Sequence, residues 1–560
     1  MILRRLYLYI VGAAALATLA FGLSLLGATV LLFIFNDPSA QDRRTALAGF
    51  TAMTLVALPV WAVHLGFANR FARRDAAERA SAIRRLYVYW ACLAASIAAM
   101  FTLSFTIGHL LRPLIDICPN INPGLGTLDV GAGCSGSPEW LVITQGAWAT
   151  LVLIGIWAFH FAIATRDRAT VGEQGASATL RRWYLYPALL VGLLTMLAGA
   201  QGLIGDAWQK AAGALSYYQV IGDVGGQFFA GLTLWGVHAR IVAGRDVEED
   251  RKSTLRALEG FIGVAVCMIV ALFGASQILY YGLARLLGVS NPGNIGTDFL
   301  TALAQPASAL VVYGVAWFLI RRRLSRDTGS HEVDRQAGVR RLYTNLAALV
   351  SMVALAVGAA GVLWNLAEQI EAPIIGVLAG DWKDPISLSV TLLVVGLAVW
   401  LAHWRHAPWP GDRQSLSRRL YVWAALLASV LAVLGSGIAL LYAVLQQAFS
   451  ANPRLNSPDN LNFGHFLGVL LVAVAVGVYH WRVLRSDAAL RPAKNKPDVA
   501  SVAAAIPFAV VSPATAPPIA TAHGKRYVLS VMDASEDDVH QALANLPPAA
   551  SYRLTSETEG

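Results

Sequence analysis

Charge is scarce in this sequence. Asp, Glu, Lys and Arg make up 14% of its 560 residues and hydrophobic residues 56%, against roughly a quarter charged in a soluble globular chain. A deficit of that size over such a length excludes water as the main solvent and points to lipid. Several chemical motifs are missing as well: there is no His-Glu-x-x-His zinc site, no phosphate-binding glycine loop and no Gly-x-Ser-x-Gly elbow. No apolar stretch carries the several central acidic or basic residues of a proton-coupled pump. An enzyme is therefore not expected. The formal charge of +9 is divided among short basic clusters between apolar runs. It forms no continuous basic face, which argues against a nucleic-acid partner.

What fills the chain is long apolar runs. Residues 6–35, 86–111, 342–366 and 420–445 contain no Asp, Glu, Lys or Arg, and each exceeds the roughly 20 residues that cross a bilayer as a helix. The first is also longer than a signal-peptide core of about 7–15 residues, so it reads as a retained helix.

The chain repeats itself. Arg4-Arg5-Leu6-Tyr7-Leu8-Tyr9 returns as Arg84-Arg85-Leu86-Tyr87-Val88-Tyr89, as Arg181-Arg182-Trp183-Tyr184-Leu185-Tyr186, as Arg340-Arg341-Leu342-Tyr343 and as Arg418-Arg419-Leu420-Tyr421-Val422-Trp423. A worn copy, Arg256-Ala257-Leu258-Glu259-Gly260-Phe261, fills the gap. Counting Glu259, the first Tyr positions lie 80, 97, 75, 84 and 78 residues apart, a period that marks an internal repeat. Each unit also ends alike, on Trp61-x-x-His64, Trp157-x-x-His160, Trp235-x-x-His238, Trp400-x-x-His403 or the related His480-Trp481-Arg482, with an Asp such as Asp167 further on.

These marks divide the chain into six units of two apolar helices, at residues 1–80, 81–177, 178–252, 253–336, 337–414 and 415–489. The expected fold is an all-α integral membrane protein of about twelve transmembrane helices. Residues 490–523 form an Ala- and Pro-rich linker and residues 524–560 a small tail segment. In the tail, 526–532 and 552–555 read as strands, and Ser535 as the cap of a helix reaching Asn545, with Asp538 completing a capping box. So short a unit has too little core to stand without a partner surface, and a largely disordered tail is the competing reading.

Basic residues orient the units. With the N-terminus, the links between units and the tail on one side, that side holds 36 of the 43 Lys and Arg. The other holds Arg43, Arg44, Arg112, Lys210, Arg285, Lys383 and Arg454. The positive-inside rule then puts both termini in the cytoplasm and makes the repeats parallel.

The leading Arg-Arg-Leu-Tyr-x-Tyr and the closing Pro59-Val60-Trp61-x-x-His64 resemble an uncharacterised bacterial family of multi-pass membrane proteins, a domain of unknown function. The resemblance runs through residues 1–490. It implies fold and a bacterial inner-membrane location, and brings no activity.

Three constellations are candidates for chemistry. His64, His160, His238, His403 and His480 share one membrane depth, where they read either as ligands of haem or a pigment or as interfacial side chains. In the fourth unit the leading Tyr is Glu259 and the closing His is Ile320, both lost from the same copy. That coincidence suggests that Tyr7, Tyr87, Tyr184, Tyr343 and Tyr421 clasp the histidines across the two helices of a unit, while Glu259 meets one of Arg321, Arg322 and Arg323. Gln219, Asp223 and Gln227, four apart on the sixth helix, form a polar row beside glycines. Arg285 either pairs with Asp223 or snorkels. Cys118 and Cys134 share the longest outer loop and form a candidate disulfide, whereas Cys92 and Cys267 lie within helices. No cofactor or metal is predicted.

Two functional classes follow. The first is a non-enzymatic scaffold or binding subunit, packing against lipid, membrane-protein partners or a second copy, with a cytoplasmic partner for the tail. The alternative is a channel or transporter with a polar path near the sixth helix.

Overall fold

In a computed structural model, residues 2–115, 139–173, 175–213, 221–244, 250, 253–294, 298–328, 334–374, 380–404, 410–449 and 463–489 are described. Among them the architecture is helical, with no strand. Twelve long helices follow one another: α1 (Ile2–Ile34), α2 (Arg44–Arg74), α3 (Ala82–Ile115), α4 (Glu139–Val171), α5 (Ala176–Ala211), α6 (Ile221–Ala243), α7 (Thr254–Leu286), α8 (Phe299–Thr328), α9 (Asp334–Ile374), α10 (Lys383–Trp404), α11 (Leu416–Phe449) and α12 (Phe463–Ala489). Eleven are long and apolar enough to cross a membrane. The remaining one, α6, has 23 residues and is made more polar by Asp223, Gln227, His238 and Arg240. The protein is a multi-pass membrane protein.

Lipid explains the choice of helix, since a spanning segment must satisfy every backbone group internally. Hydroxyls follow the same rule by bonding back to the carbonyl four residues earlier: Thr29 to Leu25 at 2.8 Å, Thr54 to Phe50 at 2.8 Å and Ser351 to Ala347 at 2.7 Å. Large apolar side chains in mid-helix, among them Phe101, Leu151, Phe273 and Val311, stay exposed and face the acyl chains.

Helices pack in consecutive pairs, α1 with α2 through α11 with α12. The first helix of each pair also packs on the second helix of the next pair, giving α1–α4, α3–α6, α5–α8, α7–α10 and α9–α12. First helices touch in series too, from α1–α3 to α9–α11. The odd helices therefore form the spine and the even ones flank it. Close approach is built in at α3–α6, where a Cβ added to Gly222 would lie 2.7 Å from the Gly108 carbonyl and one added to Gly226 would lie 2.8 Å from the Gly108 nitrogen. Apolar clusters gather around Tyr87, Val88, Cys92 and Tyr184, around Cys267 and Tyr313, and around Met352, Tyr421 and Val422. Cys92 and Cys267 are free and buried.

The proposed strands and helix of the tail, the linker 490–523, and Gln219, Cys118 and Cys134 lie outside the described residues.

Candidate functional site

The leading Tyr of a pair begins its odd helix and the closing His ends its even helix, and the structure brings the two together in every pair that has both. Nε2 of His64, His160, His238, His403 and His480 lies 3.4, 3.2, 2.8, 3.4 and 2.9 Å from the hydroxyl of Tyr7, Tyr87, Tyr184, Tyr343 and Tyr421. Each Nδ1 meets the carbonyl four residues back (Val60, Ile156, Leu234, Val399 and Val476) at 2.7–2.9 Å. A carbonyl only accepts, so Nδ1 carries the proton in all five rings. Nε2 is then the acceptor and the Tyr hydroxyl its donor.

The same hydroxyl has a second partner. Trp61, Trp157 and Trp400, each closing the preceding pair, donate Nε1–H to Tyr87, Tyr184 and Tyr421 at 3.1, 2.8 and 2.9 Å. The result is a directed relay: Trp of one pair to Tyr of the next, Tyr to its own His, His to backbone. No polar atom of the three complete relays is left without a partner, which matters because His160, His238 and His480 are at most 1% exposed and an orphaned group there is costly. A haem or metal would have to displace the tyrosine from Nε2. No group of three or more His, Cys, Asp or Glu arranged for a metal occurs among the described residues.

A second network lies at the same end. In the first, third and fifth pairs both leading arginines reach an acid that follows the pair's second helix. Arg4 and Arg5 hold Glu78, the latter at 2.8 Å. Arg181 and Arg182 hold Asp250 at 2.5 and 2.7 Å. Arg341 and Arg340 hold Asp412 at 2.5 and 3.5 Å. In the second pair Arg84 takes Asp167 at 2.7 Å and also donates to Tyr9 of the first pair at 3.3 Å; in the sixth, Arg418 takes Asp487 at 2.7 Å. In the fourth pair the polarity is reversed, with Glu259 accepting from Arg323 at 2.5 Å. Burial pushes the Glu78 carboxyl upward, but the Arg5 and Arg4 guanidiniums outweigh it and hold it below its ordinary value. Burial dominates at Glu173, which stands above its ordinary value despite Tyr89 and Arg181.

The polar row on α6 is arranged differently from the sequence expectation. Asp223 pairs with Arg112, at 2.9 and 3.0 Å from its two carboxylate oxygens, and not with Arg285. The reason is topological: α6 packs on α3 and α5, and the glycine contact sets the last turn of α3, with Arg112, against Asp223. The Asp223 side chain is 48% exposed and Gln227 is exposed too, so neither forms an enclosed site. Arg285, at the end of α7, is half-buried and has an interaction of its own elsewhere.

Both networks begin at the Arg-Arg-Leu-Tyr motif, and so do the two segments that known families recognise. The chain resembles a domain of unknown function, DUF5671, over residues 5–135 and 341–465. The two DUF5671 segments start at Arg5 and Arg341, the same position of the motif. No curated protein and no solved structure matches the chain.

Sequence reasoning missed the role of the tryptophans and took the arginines only as topological signals. A signal was present. Trp stands three residues before the closing His position in every unit followed by another (Trp61, Trp157, Trp235, Trp317, Trp400) and is Gly477 in the last. Trp61, Trp157 and Trp400 serve the junction by bonding the next tyrosine; Trp317 is kept where its His has become Ile320, but its buried Nε1 has no hydrogen-bond partner among the described residues.

Proposed function

We propose that the chain is a non-enzymatic scaffold or binding subunit of a bacterial inner membrane, with both termini cytoplasmic. The observation that supports this most is the Trp–Tyr–His relay: polar groups that a transport path would need facing a cavity are engaged in joining one helix pair to the next. The reading extends to partners that suit such a spine, namely lipid, a membrane protein or a second copy against its apolar faces, and a cytoplasmic protein on the tail. Full-length protein reconstituted in vesicles tests it. Ion flux under an applied potential is expected to equal that of empty vesicles. Flux above that level, abolished by Asp223→Asn, would overturn the scaffold reading in favour of a channel or transporter.

A further inference from the structure

One register governs how each pair meets the next. The residue 21 positions after the leading Tyr, or after Glu259 in the fourth unit, touches the following pair's even helix at every internal junction. The Ala28 carbonyl accepts from Gln145 at 2.9 Å. A Cβ added to Gly108 would lie 3.1 Å from Asp223, and one added to Gly205 would lie 2.6 Å from Gln305. Tyr280 donates to Asp384 at 2.5 Å, and the Trp364 ring lies on His465. Gln145, Asp223, Gln305 and His465 all stand 15 positions before the closing His position of their helices. Asp384 stands one turn earlier.

At the two ends of the stack the register leaves one residue of each kind without a counterpart among the described residues. On α11 it falls on Tyr442, 65% exposed, between the exposed Ile438 and Leu445. On α2 it falls on Gly49, exposed between Ala48 and Ala52, with open space where a Cβ would stand. A large ring at one end thus matches small residues at the other. The last internal junction is built in that way, with Trp364 on α9 and the closely approached Gly464 and Gly468 on α12.

We propose that the chain associates head to tail with a second copy of itself, α11 of one copy seating on α2 of the next. Small residues facing large ones permit the close packing that joins helices in lipid. The contact uses two different surfaces, so it closes into a ring or extends as an array. It continues the register of the internal junctions, so all copies keep their leading motifs on one side of the membrane. The junction tryptophan is absent from it, because Gly477 stands in the Trp position. The contact is therefore apolar and weaker than an internal junction. It names a second copy as the scaffold's partner and rests on that reading.

Disulfide cross-linking of the full-length protein in native membranes tests it, with the unsubstituted chain and its four cysteines as background. The double variant Gly49→Cys, Tyr442→Cys should give a ladder of dimers and larger species under oxidant, which reductant collapses. Either single variant should stay at background, since each surface meets only the other. Adding Ala52→Phe, at an exposed position, should leave Tm unchanged and abolish the ladder. No ladder above background would overturn the proposal and leave lipid on both faces. Dimers from Tyr442→Cys alone, or its capture of a different protein, would overturn it too. Flux decides the scaffold reading separately: flux with the ladder intact removes the scaffold and keeps the assembly, whereas neither flux nor ladder removes the assembly alone.

Discussion

Removing one oxygen atom, in Tyr184→Phe, tests the relay most directly. The ring stays, with its stacking on Tyr89 at 5.9 Å, and the volume hardly changes. Two partners lose their bond at once, Trp157 Nε1–H and His238 Nε2, both 2.8 Å from the hydroxyl. Tyr184 is 2% exposed and His238 1%, so water does not replace it. An orphaned buried group costs about 1–3 kcal/mol in soluble cores, while interhelical hydrogen bonds in membranes average about 0.6 and reach about 1.7 kcal/mol. Two such losses predict about 1–3 kcal/mol in total. Tyr7→Phe is the internal control: Tyr7 is 60% exposed, lies 3.4 Å from His64 and receives no tryptophan hydrogen bond among the described residues, so its loss should stay below about 0.5 kcal/mol. Adding Trp157→Phe and His238→Leu to Tyr184→Phe removes the orphans, and the triple variant should lose less than the sum of its parts. Reversible unfolding in mixed micelles measures each. Equal losses for Tyr184→Phe and Tyr7→Phe, or strict additivity in the triple variant, would refute the reasoning.

Other consequences are simpler. Asp223→Asn and Arg112→Gln should each change stability by less than about 1 kcal/mol, because the Asp223 side chain is 48% exposed and water screens the pair, and the double variant should equal either single one in the same unfolding assay. Gly226→Leu forces α3 and α6 apart at the Gly108 contact and should lower Tm by several degrees, whereas Gly314→Leu, with open space around it, should not. Glu78 is held below its ordinary value of 4.5, so its clamp on Arg4 and Arg5 stabilises the fold fully above that value and loses this contribution as pH falls through and below it. The Tm gap between native protein and Glu78→Gln should therefore be widest near neutrality and close in acid. Orientation is checked by cysteine labelling: a cysteine at Lys383 should react from outside the cell and one at Arg322 should not, and the reverse pattern would invert the topology.

Much of the architecture was legible in the residues. Charge-free runs such as 6–35 have only one solution in lipid, a helix, because no water is present to satisfy the backbone. The leading Arg-Arg-Leu-Tyr and closing His mark where each pair begins and ends, and the joint loss of Tyr and His at Glu259 and Ile320 pointed to a contact within a pair. Contacts between pairs were not legible in that way. Which tryptophan meets which tyrosine depends on how one pair packs against the next, since Trp61 on α2 reaches Tyr87 on α3, 26 residues on, only when the two pairs lie side by side; within a pair, which acid meets Arg4-Arg5 or Arg84, 73 to 83 residues away, was equally hidden until the two helices had paired. Asp223 illustrates the difference. Its position on a polar helix face followed from spacing of four, but its partner was decided by the glycine crossing that brings Arg112 within hydrogen-bond reach, because helix adjacency in a bundle is a property of surfaces and not of sequence order.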